Sequence, residues 1–288
     1  MADALAGFDT DRESGDVDLT AVETMRVARS RADLALAPGE TFLAGGTWLY
    51  SEAQPDVTGL VDLSSLGWDE LEVTADGDLR IGALTPIAAL EAYGRTEPFR
   101  ASALLAQCAD SLLASFKVRA SATVGGNIAK GYAAGAMIAL AATLDGEALI
   151  WRADGTDDSV PVAALPTGNG STSLAPGDAL REVVVPARAL AARTAHRRIA
   201  LAEHGRSGAL VTGRRDEDGT HVIVITAATL TPVVLRYADA PSADAVVADA
   251  LAAPGHYTDP LGSEDWRRHV SSVLAREVAE ELASGDGA

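Results

Sequence analysis

Two adjacent glycines in the middle of the chain constrain its fold more than any other feature of the sequence. Gly125 and Gly126 stand between a β-type run at residues 118–124 and a long apolar run at residues 133–144. Glycine accepts positive φ angles and lets a backbone pass close to a ligand. We therefore predict a strand, a tight turn and a helix, with free N–H groups in the turn that form a concave anion site.

The charges around these glycines differ in sign from the rest of the chain. The protein has 23 Lys and Arg residues against 41 Asp and Glu residues, which gives a net charge of -18. Its only two lysines, Lys117 and Lys130, flank the glycines, and Arg119 lies close by. This local positive charge favours a pyrophosphate site, although an ordinary Gly-Gly turn remains the alternative. The acidic surface as a whole disfavours nucleic acid and anionic lipid as partners.

Several classes of site are not supported by the residues present. Cys108 is the only cysteine, so the chain cannot hold an iron–sulfur cluster, which needs about four ligands. The five histidines show no metal-binding spacing, and no Ser/His/Asp arrangement stands out, so we predict no metal site and no catalytic residue. The longest uncharged stretch, residues 131–144, is shorter than the roughly 20 residues of a membrane span. Without a signal-peptide pattern, we expect a cytoplasmic protein.

The secondary-structure signals mix helices and strands without regular alternation, which predicts an α+β fold. Residues 1–18 are acidic and poor in apolar side chains, and we expect them to be loose. We predict helices at residues 19–35, from 85–86 onward, and at 98–115, 243–252 and 263–283. We predict strands at residues 41–43, 60–63, 71–74, 79–81, 147–151, 180–185, 197–202, 208–212, 221–230 and 233–237, and a loop at 165–178. Asp145 is expected only to start a turn.

Another Gly-Gly pair lies about eighty residues earlier in the chain and also follows a short β-type run. It belongs to the segment Ala44-Gly45-Gly46-Thr47. Two such turns can enclose one diphosphate between two lobes, because each supplies backbone donors without bulk. The hydroxyls of Thr47 and Thr123 are possible further donors. Neither segment is a Walker loop or a Gly-x-Gly-x-x-Gly fingerprint.

An ordered set of motifs resembles the FAD-binding medium subunit of molybdenum hydroxylases, the family of xanthine dehydrogenase and carbon monoxide dehydrogenase. The motifs are residues 44–47, 61–63, 79–85 and 123–128, and their order and spacing match over roughly residues 20–186. The tail from Arg197 to Arg268 resembles the C-terminal domain of that family. The resemblance implies a two-lobed FAD-binding domain of the vanillyl-alcohol oxidase-like (PCMH) type plus a C-terminal α+β domain. We expect the first at residues 1–190, with lobes at about 19–57 and 58–190, and the second at 191–288.

The resemblance also implies which residues contact FAD. They are Phe42, Leu43, Ala44, Gly45, Gly46, Thr47, Trp48, Leu49, Thr123, Val124, Gly125, Gly126, Asn127, Leu180 and Arg198.

Two positions depart from the family pattern. Ala136 stands where the family has an Asp that contacts the cofactor, and the loss of one charged hydrogen bond costs about 1.5–3 kcal/mol, or roughly ten- to a hundredfold in affinity. Trp48 stands where many relatives have Asp or Ser. Its ring can stack on the flavin, block it, or pack in the core.

By resemblance, the function is electron relay within a heterotrimer. A large molybdopterin-binding subunit would oxidise the substrate, and a small subunit with two-iron, two-sulfur clusters would carry the electrons. FAD on this chain would pass them to NAD or another acceptor. Two alternatives stay open: a stand-alone flavoprotein oxidoreductase of the same fold, and a subunit that has lost FAD and serves assembly.

Overall fold

A computed structural model describes residues 19–284, so the segment at 1–18 that we expected to be loose lies outside the described residues. The helices are α1 (Ile87–Thr96), α2 (Ser102–Asp110), α3 (Phe116–Ser121), α4 (Val124–Lys130), α5 (Ala136–Thr143), α6 (Ala187–Leu190), α7 (Ala243–Ala252) and α8 (Glu264–Ala283). The strands are β1 (Thr24–Val27), β2 (Glu40–Leu43), β3 (Gly59–Asp62), β4 (Leu71–Val73), β5 (Leu79–Gly82), β6 (Glu147–Trp151), β7 (Asp157–Pro161), β8 (Pro166–Gly168), β9 (Ser171–Thr172), β10 (Ala179–Val185), β11 (Arg193–Ala200), β12 (Ser207–Arg215), β13 (His221–Thr226) and β14 (Val233–Tyr237). Within residues 19–284, no helix has the length and apolarity to cross a bilayer. The cytoplasmic location stays a prediction.

The first sheet is a small parallel sheet in the order β1-β3-β2. The helix predicted at residues 19–35 is wrong, because this stretch forms β1 and a short 3-10 turn at Arg31–Leu34. Met25 and Val27, which were expected on the apolar face of that helix, are exposed. Pairing with β3 therefore overrides the weak helical pattern. Since β3 is the central strand, we propose that the first lobe extends to about residue 63.

The second sheet is antiparallel, in the order β4-β5-β10-β6-β7. The hairpin predicted between β4 and β5 is confirmed, and Gly77 in its turn has φ +86°. Strand β7 was not predicted, because its polar sequence lies at an exposed edge and lacks an apolar alternation. The loop predicted at residues 165–178 contains the two short strands β8 and β9.

The strand predicted at residues 118–124 is also wrong, because most of it belongs to helix α3. The side chain of Ser115 accepts a hydrogen bond from the N–H of Val118 at 3.3 Å and caps this helix. A cap of this kind outweighs the modest strand preference of one β-branched residue. Helix α2 is shorter than the predicted 98–115, and α1 begins at Ile87 after the N-cap residue Pro86 rather than after a Thr85 cap.

Helix α5 is buried along its whole length. One side, including Met137 and Leu140, belongs to the core that holds the two-lobed part of the chain together. The other side packs against the third sheet, where Ala139 meets Leu210 and Ala142 meets Val222. An apolar helix without a polar face is stable only when covered on all sides. The apolar run at residues 133–144 is thus the element that both parts of the molecule share.

The C-terminal part is an antiparallel meander, β11-β12-β13-β14, covered by α7 and α8. Its predicted strands and helices are all present and α7 has the predicted bounds 243–252, but β11 begins at Arg193 rather than at residue 197 and β13 ends at Thr226 rather than at residue 230. The presence of both helices and mostly antiparallel sheets confirms the expected α+β class. The division at residue 190/191 stays a prediction, and residues 285–288 lie outside the described part of the chain.

A buried ion cluster joins the C-terminal sheet to the turn after α5. The guanidinium of Arg214 is fully buried, pairs with Asp216 at 2.8 Å and Asp145 at 2.5 Å, and donates to the carbonyl of Thr143. Asp145 also pairs with Arg188 at 2.7 Å and with Arg236. Asp145 therefore does more than start a turn, because it is the shared acceptor of three arginines.

Replacing Asp145 with Asn should destabilise the protein. Removing one partner of a fully buried ion pair costs about 3–5 kcal/mol, and we expect about 2–3 kcal/mol here because Asp216 still pairs with Arg214. Urea unfolding followed by circular dichroism measures the difference. Asp239→Asn is the matched control, since Asp239 is exposed and should change stability by less than about 0.5 kcal/mol.

The effect should also depend on pH. Desolvation acts to raise the pKa of Asp145, but hydrogen bonds from Arg214, Arg236 and Arg188 outweigh it and hold the pKa below its ordinary 3.8. A carboxyl with a depressed folded-state pKa stabilises the fold above the unfolded pKa and loses this contribution as the pH falls through the folded pKa. The gap between wild type and Asp145→Asn should stay constant down to about pH 5 and shrink below about pH 4. A gap that grows on acidification contradicts this assignment.

Candidate functional site

The segment after β2, residues 44–49, forms a loop with exposed backbone donors, which we call the first glycine loop. Leu43 and Leu49 anchor its two ends by packing with Leu60 in a small apolar cluster. Within residues 19–284, the N–H groups of all six loop residues have no hydrogen-bond partner. Consecutive unpaired N–H groups form an anion-binding concavity. The side chains at the ends are used for packing, so this loop offers its backbone to a ligand.

Gly45 brings the first glycine loop against the segment that contains the second glycine pair, Gly125 and Gly126. A Cβ at position 45 would lie 1.9 Å from the carbonyl oxygen of Ser121 and 3.1 Å from the Cα of Ala122. No side chain larger than hydrogen fits at such a distance, so the close approach requires glycine. The two glycine pairs, distant in sequence, therefore lie close together in the fold.

The second pair does not form the predicted open turn. Gly125 and Gly126 lie in the first turn of α4, for which Thr123 is the N-cap. Their N–H groups are occupied, that of Gly125 by the carbonyl of Ala83 at 2.8 Å and that of Gly126 by the hydroxyl of Thr123 at 3.1 Å. The N–H of Val124 is bound as well. The prediction of free donors here is wrong, because the carbonyls of Ala83 and Thr85 and the hydroxyl of the Thr123 cap satisfy them within the chain.

Gly125 is required for packing rather than for anion binding. A Cβ at this position would lie 2.5 Å from the Cβ of Ala83. Asn127, also predicted to contact FAD, accepts a hydrogen bond at its Oδ1 from the N–H of Met137 at 3.1 Å. It thereby satisfies a free donor in the first turn of α5. Ala136, at the position of the family Asp, is 1% exposed in that same turn.

The two remaining predicted contacts differ in their surroundings. Leu180 lies on β10 in the main core, on a strand that packs against α4. Arg198 lies on β11, and its guanidinium is bound to the adjoining hairpin through the hydroxyl of Ser207 at 2.9 Å and the carbonyls of Glu203 and Gly205. Among the described residues, no contact joins Arg198 to either glycine pair.

Trp48 belongs to a group of two aromatic rings and two cations beside the first glycine loop. Its indole N–H donates to the hydroxyl of Tyr132 at 2.9 Å. The ammonium of Lys130 lies 3.5 Å from the centre of the Trp48 ring, and the guanidinium of Arg206 lies 5.7 Å from that of Tyr132. Sequence reasoning missed Tyr132 and Arg206, because nothing in the local sequence indicates that a hairpin of the C-terminal sheet reaches this loop.

Fewer cations near the first glycine loop are left without an ion pair than the sequence indicates. Arg119 is neutralised by Asp110 at 2.6 Å and Glu91 at 3.4 Å, and Lys117 is exposed on α3. Lys130 makes no ion pair with any described residue. Burial lowers the pKa of its ammonium, and the charge of Glu52 partly opposes this shift. Lys130 and Arg206 are therefore the two cations of this cluster that make no ion pair with a described residue, and Lys130 is the one that lies against Trp48 of the loop.

The histidines do not form a second centre. Within residues 19–284, no group of three or more His, Cys, Asp and Glu side chains is arranged to hold a metal ion. Burial and the charges of Arg198 and Arg197 lower the pKa of His196 to about 4, so the ring is neutral at pH 7. It forms a hydrogen bond with the hydroxyl of Ser111 at 2.8 Å. This contact connects β11 to the end of α2 and is structural.

Comparison with protein families identifies the class of this arrangement. Residues 20–188, more than half of the chain, match the family described as the FAD binding domain in molybdopterin dehydrogenase. The chain belongs to this family. The expected membership of the FAD-binding subunits of molybdenum hydroxylases is confirmed, and so are FAD as the cofactor of the domain and an oxidoreductase family.

One curated relative and several solved structures are similar to the chain. The aldehyde oxidoreductase FAD-binding subunit PaoB of Escherichia coli (strain K12) is 41% identical over 97 residues, which span 32% of this chain and 29% of that protein. A chain of Cu,Mo-CO dehydrogenase in its cyanide-inactivated form matches with a TM-score of 0.78 at 23% identity, over 91% of this chain and 98% of that one. Quinoline 2-oxidoreductase from Pseudomonas putida 86 gives 0.75 at 21%, over 93% and 100%. These structures confirm the expected fold.

Replacing Gly45 with Ala should separate the two glycine segments. The added methyl group would collide with the backbone of Ser121, which cannot rotate away as a side chain can. Overpacking of this kind costs about 3 kcal/mol at the upper end of its usual range. Thermal and urea unfolding measure the loss.

Gly67→Ala is the control for that substitution. Gly67 has φ +67° with no atom within 4 Å of the methyl group that alanine would add, so only the left-handed backbone conformation is strained. We expect this change to cost about 1–2 kcal/mol. Equal losses for the two variants would show that the contact of Gly45 with Ser121 contributes nothing.

Proposed function

We propose that this chain is the FAD-binding electron-transfer subunit of a molybdenum hydroxylase complex. The observation that carries the proposal is the first glycine loop, whose six consecutive N–H groups have no partner among the described residues. In a chain of this family, such a loop fits the diphosphate of FAD. The absence of Cβ atoms at Gly45 and Gly46 leaves the backbone open to close approach.

The proposed site residues follow from this loop. The backbone of residues 44–49 would hold the diphosphate, and Thr123, Val124, Gly125, Gly126 and Asn127 would position it by packing. Phe42 and Leu43 would support the loop from β2, and Leu180 would line the site from β10. Arg198 would contribute to the site only by holding its hairpin in place, since its guanidinium donors are occupied within that hairpin.

The proposed chemistry belongs to the cofactor, and the protein supplies placement and electrostatics. Held by the backbone of residues 44–49, FAD would supply redox chemistry between the iron–sulfur clusters of a small partner subunit, which deliver electrons only, and NAD or another acceptor, with protons coming from solvent. The substrate would be oxidised on a large molybdopterin-binding subunit. PaoB is by name the FAD-binding subunit of an aldehyde oxidoreductase, which supports this division of roles.

A second candidate is a subunit that has lost FAD and serves assembly. The buried Ala136 favours it, because the chain lacks a carboxylate where the family has one. The two candidates differ in one measurable property, the affinity of the isolated chain for FAD.

The isolated chain should bind FAD, and Gly46→Ala should weaken the binding by about tenfold or more, which corresponds to about 1.4 kcal/mol. Gly46 has φ +70°, so a side chain there would turn the neighbouring N–H groups away from a common point. Tyr50, which the added methyl group would meet, is exposed and can move aside. Isothermal titration calorimetry and flavin fluorescence quenching give the dissociation constant.

Gly77→Ala is the matched control for FAD binding. Gly77 also has positive φ, but it lies in the turn between β4 and β5. This variant should lose stability like Gly46→Ala and bind FAD like the wild type. A wild-type chain that fails to bind FAD supports the assembly role and contradicts electron transfer.

The protein purified from its native source should elute with two partners. We expect one chain that contains molybdenum and one that contains iron and acid-labile sulfide, since the single cysteine of this chain cannot hold a cluster. Mass spectrometry of the eluted complex and metal analysis test this. A lone flavin-containing chain with its own substrate turnover would favour the stand-alone flavoprotein instead.

A further inference from the structure

We propose that Lys130 is the side chain that binds the diphosphate of the dinucleotide, an inference that rests on the proposed function. Its ammonium is held beside the first glycine loop by the ring of Trp48, the fifth residue of that loop. The anion would then be held from two sides, by backbone N–H groups on one and by a lysine on the other.

The fold fixes the position of Lys130. It is the last residue of α4, whose first turn lies next to the segment in contact with Gly45. Trp48 is itself restrained, because its indole N–H donates to Tyr132. The ring of Tyr132 also faces the ammonium, at 5.0 Å. Two aromatic rings thus hold the cation within reach of the loop.

The ammonium of Lys130 is not within ion-pair distance of any described carboxylate, although the charge of Glu52 acts on it from farther away. Among the described residues it makes no hydrogen bond or ion pair, and its only contacts of this kind are with the two rings. The protein carries a net charge of -18, so acidic residues are abundant. The positive groups near the loop nevertheless differ in whether they pair with a carboxylate. Arg119 is paired with two carboxylates, whereas Lys130 is left with none. An unpaired and partly desolvated ammonium beside free backbone donors is complementary to an anion.

A purely structural role for Lys130 predicts a different result. Cation–π contacts stabilise folded proteins by about 0.5–2 kcal/mol, so removal of the charge alone can lower stability. If the contact with Trp48 were its only role, substitution would lower the melting temperature and leave the FAD affinity unchanged. The decisive readout is therefore binding, measured on variants whose folding has been checked.

Lys130→Gln should weaken FAD binding by about ten- to a hundredfold, the usual effect of losing one charge-assisted hydrogen bond. Lys130→Arg, which keeps the charge, should recover part of the affinity. Lys117→Gln is the matched control, because it removes the only other lysine of the chain from an exposed position on α3. It should bind FAD like the wild type. The dissociation constants come from calorimetry at one fixed salt concentration.

Competition by ADP distinguishes binding of the diphosphate from binding of the flavin ring, because ADP carries a diphosphate without isoalloxazine. The dissociation constant of ADP, obtained from the half-displacing concentration after correction for the FAD affinity of each protein, should rise in Lys130→Gln by the same factor as the FAD dissociation constant. If FAD weakens and ADP does not, or if ADP fails to compete in the wild type, Lys130 does not bind the diphosphate. Riboflavin, which has no phosphate, should bind both proteins equally.

Amine labelling provides a readout that is independent of any variant. The chain has only two lysine amines besides its N-terminus. Saturating FAD should protect Lys130 from an acylating reagent and leave the labelling of Lys117 unchanged, as measured by peptide mass spectrometry. Equal labelling of Lys130 with and without FAD overturns the inference while leaving the proposed function intact. No FAD binding by the wild type overturns both.

Discussion

The burial of helix α5 on all sides is the constraint on which the rest of the structure depends. Its apolar surface is shared between the main core and the C-terminal sheet, through contacts such as Ala139 with Leu210. A helix with no polar face cannot be exposed on either side without loss of hydrophobic stabilisation. The side chain of Asn127 accepts a hydrogen bond from an N–H in the first turn of α5, and the ion cluster around Asp145 lies just after its last residue. Helix α4, which carries the second glycine pair, packs against α5 and therefore takes its position from a helix that both parts of the molecule share.

The two glycine pairs have different structural roles in this arrangement. Gly125 lies inside a helix and has its N–H bound to Ala83, so it allows close packing of α4 on β5. Gly45 lies in an irregular loop whose N–H groups have no partner in the described part of the chain, and it lets this loop touch the backbone of Ser121. The same dipeptide thus serves in one place to bring elements together and in the other to leave backbone donors open. The difference comes from the Thr123 cap, which starts a helix immediately before the second pair.

The sequence allowed the family, the fold class and most of the C-terminal elements to be predicted, because these rest on ordered motifs and strong periodicity. It failed where strand pairing with a distant segment, or a local helix cap, outweighs the pattern of the side chains. The stretch around Met25 became a strand because β3 lies beside it, and the stretch around Val118 became a helix because Ser115 caps it. Neither competing influence can be ranked from one sequence. Similarly, the meeting of Tyr132 and Arg206 depends on the placement of a distant hairpin.

Charge shows the same dependence on three-dimensional context. Lys117, Lys130 and Arg119 look equivalent in the sequence, where all three flank the glycines. In the fold, Arg119 is paired with acidic neighbours, Lys117 is exposed to solvent, and the ammonium of Lys130 lies over an aromatic ring without an ion pair to any residue between 19 and 284. Screening weakens the field of an exposed charge within about 10 Å, whereas a partly buried charge is screened less. In a strongly acidic protein, an anionic cofactor is therefore attracted less by the number of nearby cations than by those that the fold holds partly buried and without an ion pair.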